Sequence, residues 1–152
     1  MHLSAKAIAD MAGQKKVHFL NEAAVRINKS LGDAVGLKNI GVHVISVLPG
    51  HYSTEHHVHL FEEECVYVLS GQGTAFIGND AHAVGPGDFI GCPLNGVAHS
   101  MLATGSEPLV CLVMGQRLSQ DVTDYPNQNK RLYRNNGEWN VVDHSNIQNI
   151  ER

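Results

Sequence analysis

Between Gly41 and Gln116 the chain is cut into short runs rich in Val, Ile, Leu and aromatic residues by turn-forming residues at close intervals. No other feature restricts the fold as strongly. The runs are Val42 to Leu48, Thr54 to His59, Cys65 to Ser70, Thr74 to Ile77, Ala81 to Val84, Asp88 to Cys92, Ala98 to Ala103 and Leu109 to Gly115. Pro49-Gly50, the acidic turn around Glu62, Gly71 to Gly73, Gly78-Asn79-Asp80, Gly85-Pro86-Gly87, Asn95-Gly96 and Gly105 to Pro108 separate them. Runs too short for helices and bounded by such breakers are strands of a sandwich or barrel. Eight of them joined by tight turns predict an all-β fold, a double-stranded β-helix or jelly-roll barrel that hides its sheet edges.

With 152 residues the chain can bury one hydrophobic core and is too short for two ordinary ones. Residues 41–116 are therefore read as the barrel of a single domain. Residues 1–40 are an N-terminal helix and extended segment packing on it, and residues 117–152 an extended C-terminal tail. The helix is expected over Ser4 to Gly13, with Ser4 as N-cap, Ile8 and Met11 as its apolar positions and Gly13 as its stop. Val17 to Lys38 mixes its signals and is expected to be irregular with short extended pieces. In the tail, Leu132, Tyr133, Trp139, Val141 and Val142 require apolar cover from the barrel or a partner subunit.

Composition excludes several functions. The formal net charge is −4, and Lys and Arg are scattered rather than gathered into a stripe, which argues against a nucleic-acid partner. The opening MHLSAKAIADMAGQKK lacks the apolar run of a signal peptide, and no stretch reaches transmembrane length, so no membrane partner and a cytoplasmic location are expected. Cys65, Cys92 and Cys111 lie in apolar, strand-like surroundings with no CxxC pair and read as reduced core residues.

Histidine is the outlier: there are ten, four of them between His51 and His59. Side chains two apart on a strand share a face and lie roughly 6.6 Å apart along the chain, so His57 and His59 can aim at one point. Ligand bonds of about 2.0 to 2.2 Å let Glu64, opening the next strand after a short turn, supply a third ligand to a metal ion. His56 faces the other way. Glu64 is chosen over Glu62 and Glu63 because it shares a face with Val66 and Val68, which point inward, whereas Glu62 and Glu63 suit a solvated turn and Tyr67 and Leu69 face out. His43, His51, His82 and His144 read as ordinary hydrogen-bonded residues. A closed barrel can bring His99 beside His57 and His59, but local spacing does not fix its place.

At these residues the chain resembles the cupin superfamily. The first cupin motif matches Gly50, His57-Val58-His59, Glu64 and Gly71, and the second matches Gly87, Pro93, Gly96 and His99. The departures are one extra residue between Gly50 and His57, one extra between Pro93 and Gly96, and Ala103 where the pattern has Asn. None removes a ligand, so the resemblance implies a three-His, one-Glu metal site on His57, His59, Glu64 and His99. It also implies a homodimer. Short single-domain bacterial cupins of this kind include some that continue past the barrel into an Asp-x-x-x-Tyr-Pro segment like Asp121 to Pro126.

Four protein ligands leave one or two open positions on one divalent ion per chain (Fe, Mn, Ni, Zn or Cu), the arrangement of a catalytic site. The expected function is a metal-dependent enzyme on a small organic substrate, a dioxygenase or an isomerase of a sugar or keto acid. The competing expectation is a non-catalytic module that binds or senses a small molecule. No helix-turn-helix precedes the barrel, and a metal-free epimerase using His57 or His99 as base leaves Glu64 unexplained. Ser46, Val66, Val68, Met101 and Phe89 are expected to line the pocket, which suggests an apolar or planar substrate with few charges.

Overall fold

A computed structural model describes residues 1–151. Helix α1 (Ala5–Asp10) is capped by the Ser4 side chain, which accepts from the Ala7 amide as the sequence pattern requires. Thirteen strands follow: β1 (Gln14–His18), β2 (Asn21–Ser30), β3 (Ile40–Val47), β4 (Val58–His59), β5 (Glu64–Ser70), β6 (Gly73–Ile77), β7 (Asp80–Val84), β8 (Phe89–Cys92), β9 (His99–Ala103), β10 (Leu109–Gln116), β11 (Gln120–Tyr125), β12 (Lys130–Asn135) and β13 (Glu138–Asp143). A one-turn helix α2 (Leu31–Ala34) links β2 to β3. No helix among the described residues is long and apolar enough to cross a membrane.

One wall of the barrel is a six-stranded antiparallel sheet in the order β1-β2-β3-β10-β5-β8. The other is built from β7-β6-β9 and β13-β12-β11-β4. A single antiparallel bridge, His57 to His99, joins these two smaller sheets, with amide-to-carbonyl distances of 3.1 and 2.8 Å.

Side-chain alternation grades the interior from apolar to polar. On β5, Val68 is fully buried in the core, Val66 forms the floor of a cavity, and Glu64 stands at the polar end. The same step of two takes β9 from Ala103 through Met101 to His99, and β3 from Val47 through Ile45 to His43. Period-two geometry on closed, twisted sheets thus fixes where the chemistry sits. Cys92 and Cys111 are buried and Cys65 half-buried, all three as free thiols.

Two segments differ from the sequence-based expectation. Val17 to Lys38 is not mainly irregular, since β1 and the ten-residue β2 extend the large sheet there. The segment after residue 117, expected as an extended tail, is a three-stranded meander, β11 to β13, paired to β4. Leu132 is buried beneath it, whereas Trp139 and Val141 remain exposed. The run from Thr54 is a strand only at Val58–His59. Glu62 is buried rather than solvated, accepting from the Leu118 amide and pairing with Arg134.

Candidate metal centre

The four residues singled out in the sequence meet at one point. The Nε2 atoms of His57, His59 and His99 lie 3.8, 3.8 and 3.9 Å from a single oxygen, Oε2 of Glu64. These separations are too long for hydrogen bonds. Two atoms bound to one ion at 2.0 to 2.2 Å stand at most about 4.4 Å apart, so the spacing suits ligands flanking a common cation. Ligand atoms of His57, Glu64 and His99 all fall within 4.8 Å of one another. His59 falls outside that group and stands with Glu62 and Asp121 instead, but Glu62 is engaged by Arg134 and Leu118, and Asp121 by His59 itself, which leaves the His59 Nε2 atom directed at Glu64.

Hydrogen bonds behind the cluster set the imidazole tautomers. Nδ1–H of His57 donates to the Glu55 carbonyl at 2.9 Å, and Nδ1–H of His59 donates to Asp121 at 2.6 Å. Each bond puts the proton on Nδ1 and leaves the Nε2 lone pair facing Glu64. Thr123 supports Asp121 with a 3.2 Å hydroxyl bond, and the Phe61 amide donates to it at 3.3 Å. Both ring nitrogens of His99 are buried with no hydrogen-bond partner among the described residues. Buried polar atoms are seldom left so. An unpartnered imidazole nitrogen within 4 Å of a carboxylate is what a cation would satisfy, and the N3O donor set fits a divalent transition metal.

The electrostatics agree. Burial depresses the His57 pKa against the opposing pull of Glu64, keeping the imidazole neutral as a ligand must be. Burial disfavours the Glu64 carboxylate, but the surrounding His57 and His99 outweigh it and hold the carboxyl well below the usual range. Burial disfavours the Asp121 carboxylate as well, but His59, the Phe61 amide and the Thr123 hydroxyl together outweigh it and hold its pKa low.

The cluster opens into a cavity of about 410 Å3. Val66 and Met101 line it as expected. Ser46 does not, Val68 lies in the core behind, and Phe89 points to solvent. The lining is apolar over most of its area, as expected, but Lys16, His18, Arg26, Asn28, His43, Thr123, Tyr125 and Arg134 face it too. Among the remaining histidines, His56 bonds Ser100 at 3.2 Å outside this cavity, and His43 bonds Asn28 at 3.2 Å within it. His18, unnoticed in the sequence, accepts the Leu20 amide at Nδ1 (3.2 Å), so its proton sits on Nε2. Burial, then His57 and Arg26, push its pKa down to about 4.

Comparison with known proteins places this geometry in a family. Residues 43–115 match the Cupin domain family. A crystal structure from Acidithiobacillus ferrooxidans, named "Putative sugar phosphate isomerase", shares 59% identity over 99% of this chain and 97% of its own, with a TM-score of 0.97. The chain belongs to the cupin superfamily. A "sugar phosphate isomerase from a cupin superfamily" of Silicibacter pomeroyi superposes with a TM-score of 0.81 at 23% identity, over 89% of this cupin and 90% of its own chain. A "predicted oxalate decarboxylase" of Thermotoga maritima gives 0.62 at 20% identity, over 73% and 96%. At those identities the last two share the cupin fold. No curated protein matches the sequence.

Proposed function

We propose that this cupin is a metal-dependent isomerase of a small sugar or sugar phosphate, with His57, His59, Glu64 and His99 as the ligands of one divalent ion. The observation that carries the reading is the convergence of three imidazole nitrogens on one Glu64 oxygen at the polar end of the cavity. The relative at 59% identity, named for sugar phosphate isomerisation, supports the reaction class.

When bound, a divalent cation supplies a Lewis acid that draws electron density from a carbonyl or neighbouring hydroxyl oxygen. The protein's own groups do the rest. Glu55 and Asp121 hold the Nδ1–H groups of His57 and His59, so both rings stay fixed with Nε2 toward the site. His18, neutral and carrying its proton on Nε2, is a donor for a substrate oxygen in the cavity. Tyr125, whose pKa burial and the nearby Asp121 and Glu55 raise to about 12, stays protonated as a second donor. Two such donors beside the Glu64 cluster suit the oxygen atoms of a polyhydroxylated substrate.

The test is elemental analysis of protein purified without added metal, joined to NMR of aldose and ketose substrates, with and without phosphate, incubated with it. Interconversion is expected, with a loss of at least 100-fold in His57→Ala and Glu64→Ala. Full metal content in both variants refutes the ligand assignment. Oxygen uptake on diketones without any sugar interconversion replaces the isomerase by a dioxygenase, and saturable binding with neither activity leaves a binding module.

A further inference from the structure

We propose that Lys16 and Arg26 form an anion clamp that holds the phosphate of the substrate within the same cavity as the Glu64 cluster. The identity of the substrate rests on the isomerase reading; the clamp rests on the cavity wall.

Lys16 on β1 and Arg26 on β2 are direct cross-strand partners, and both line the cavity. Like charges facing each other across an antiparallel ladder destabilise the pairing unless something lies between them. Among the described residues, Lys6, Arg117, Lys130, Arg131 and Arg134 each pair with a carboxylate. Lys16 and Arg26 have no such partner. The carboxylate that acts on Arg26 from a distance is Glu64, which is already surrounded by three imidazoles.

Arg26 is also held in place. One Nη donates to the Ser53 carbonyl, and this is the one bond its guanidinium makes among the described residues. A guanidinium has five N–H donors, so four remain for a ligand. Burial weakens its charged form, a cost that an oxyanion beside it would offset. A planar fork opposite a flexible ammonium is a donor set suited to a phosphate, bidentate from Arg and point-charge from Lys. Asn28, two residues beyond Arg26 on the same face, lies buried on this wall against His43. Arg134 faces the cavity too, but Glu62 neutralises it and it packs on the Trp139 ring at 5.4 Å, so it is not the clamp.

The test uses inorganic phosphate, followed by calorimetry and by amide shifts in NMR. Wild-type protein is expected to bind it, with at least tenfold weaker binding in both Arg26→Gln and Lys16→Gln. Lys15→Gln, altered on the exposed opposite face of β1, should bind as wild type. Lys16 is exposed, so its variant keeps the test decisive even where Arg26→Gln fails to fold. Unchanged phosphate binding in Lys16→Gln overturns the clamp. So does binding that survives in Arg26→Gln but vanishes in Glu64→Ala, which would put the phosphate on the metal.

On a sugar phosphate that turns over, Arg26→Gln should raise KM at least tenfold while KM for the same sugar without phosphate stays within twofold. Equal KM for the phosphorylated sugar in wild type and both variants removes the clamp and leaves the isomerase. Clamp-dependent phosphate binding with no isomerase activity on any sugar removes the isomerase and leaves an oxyanion site of another chemistry.

Discussion

Asp121 offers the sharpest test of the metal centre because it lies outside the four candidate ligands and acts on one of them through a single proton. It is 2% exposed and accepts Nδ1–H of His59 at 2.6 Å, with Thr123 and the Phe61 amide completing its shell. Asp121→Asn keeps the shape but can turn an NH2 toward His59. The imidazole would then place its proton on Nε2, where the lone pair facing Glu64 now is. Loss of such a supporting group lowers metal affinity by about 10- to 100-fold, which is about 1.4 to 2.7 kcal/mol. The assay is competition with a chromophoric chelator, run beside His59→Ala and Glu62→Gln. Glu62 is equally buried but holds Arg134 and the Leu118 amide rather than an imidazole, so its loss should lower unfolding stability and leave affinity within about threefold. The reasoning is refuted if Asp121→Asn binds metal as wild type while His59→Ala does not. It is also refuted if Glu62→Gln and Asp121→Asn lose affinity equally.

Three further outcomes are expected. Gly71 has φ +82°, and a Cβ there would stand 2.2 Å from the Pro108 carbonyl oxygen, so Gly71→Ala should cost about 2 kcal/mol or more in urea unfolding, where Gly85→Ala, with open space around it, should cost under about 1 kcal/mol. Metal-free protein should lose stability between pH 6.5 and 4. His18, His43 and His57 are all held below their ordinary value, chiefly by burial, so the unfolded chain binds more protons in that window and stability rises with pH. His18→Gln should flatten the slope in denaturation curves taken across it; a slope that steepens, or wild-type stability that rises toward pH 4, contradicts the assignment. Below the ordinary carboxylate value near 3.9, a second loss should follow as Asp124 is protonated, because Arg131 at 2.6 and 2.7 Å keeps its folded-state pKa low.

The barrel strands were legible because their inward faces are apolar. Val66 and Val68 against Tyr67 and Leu69 fix the phase of β5, and that phase alone sends Glu64 inward with them. The pair His57 and His59 followed from spacing, and their rings do meet Glu64, although the expected strand is only two residues long at that point. His99 needed the fold, since 41 residues separate it in sequence from its backbone bridge partner His57 and only a closed barrel sets them side by side.

What the sequence hid has a common physical cause. On β2 the inward residues are Ala24, Arg26 and Asn28, and on β11 they are Asp121, Thr123 and Tyr125. Hydrophobic alternation marks a strand only where its inner face meets a core, and these two strands turn mainly polar side chains inward instead. Their polar inner faces made the first segment read as irregular and the last as a tail. The sequence by itself therefore determined the apolar half of the barrel and three of the four residues that meet at its rim. Tertiary structure alone decided that the segments before and after the barrel close over that rim, bringing a carboxylate behind His59 and two cations with no carboxylate partner among the described residues into the cavity beside it.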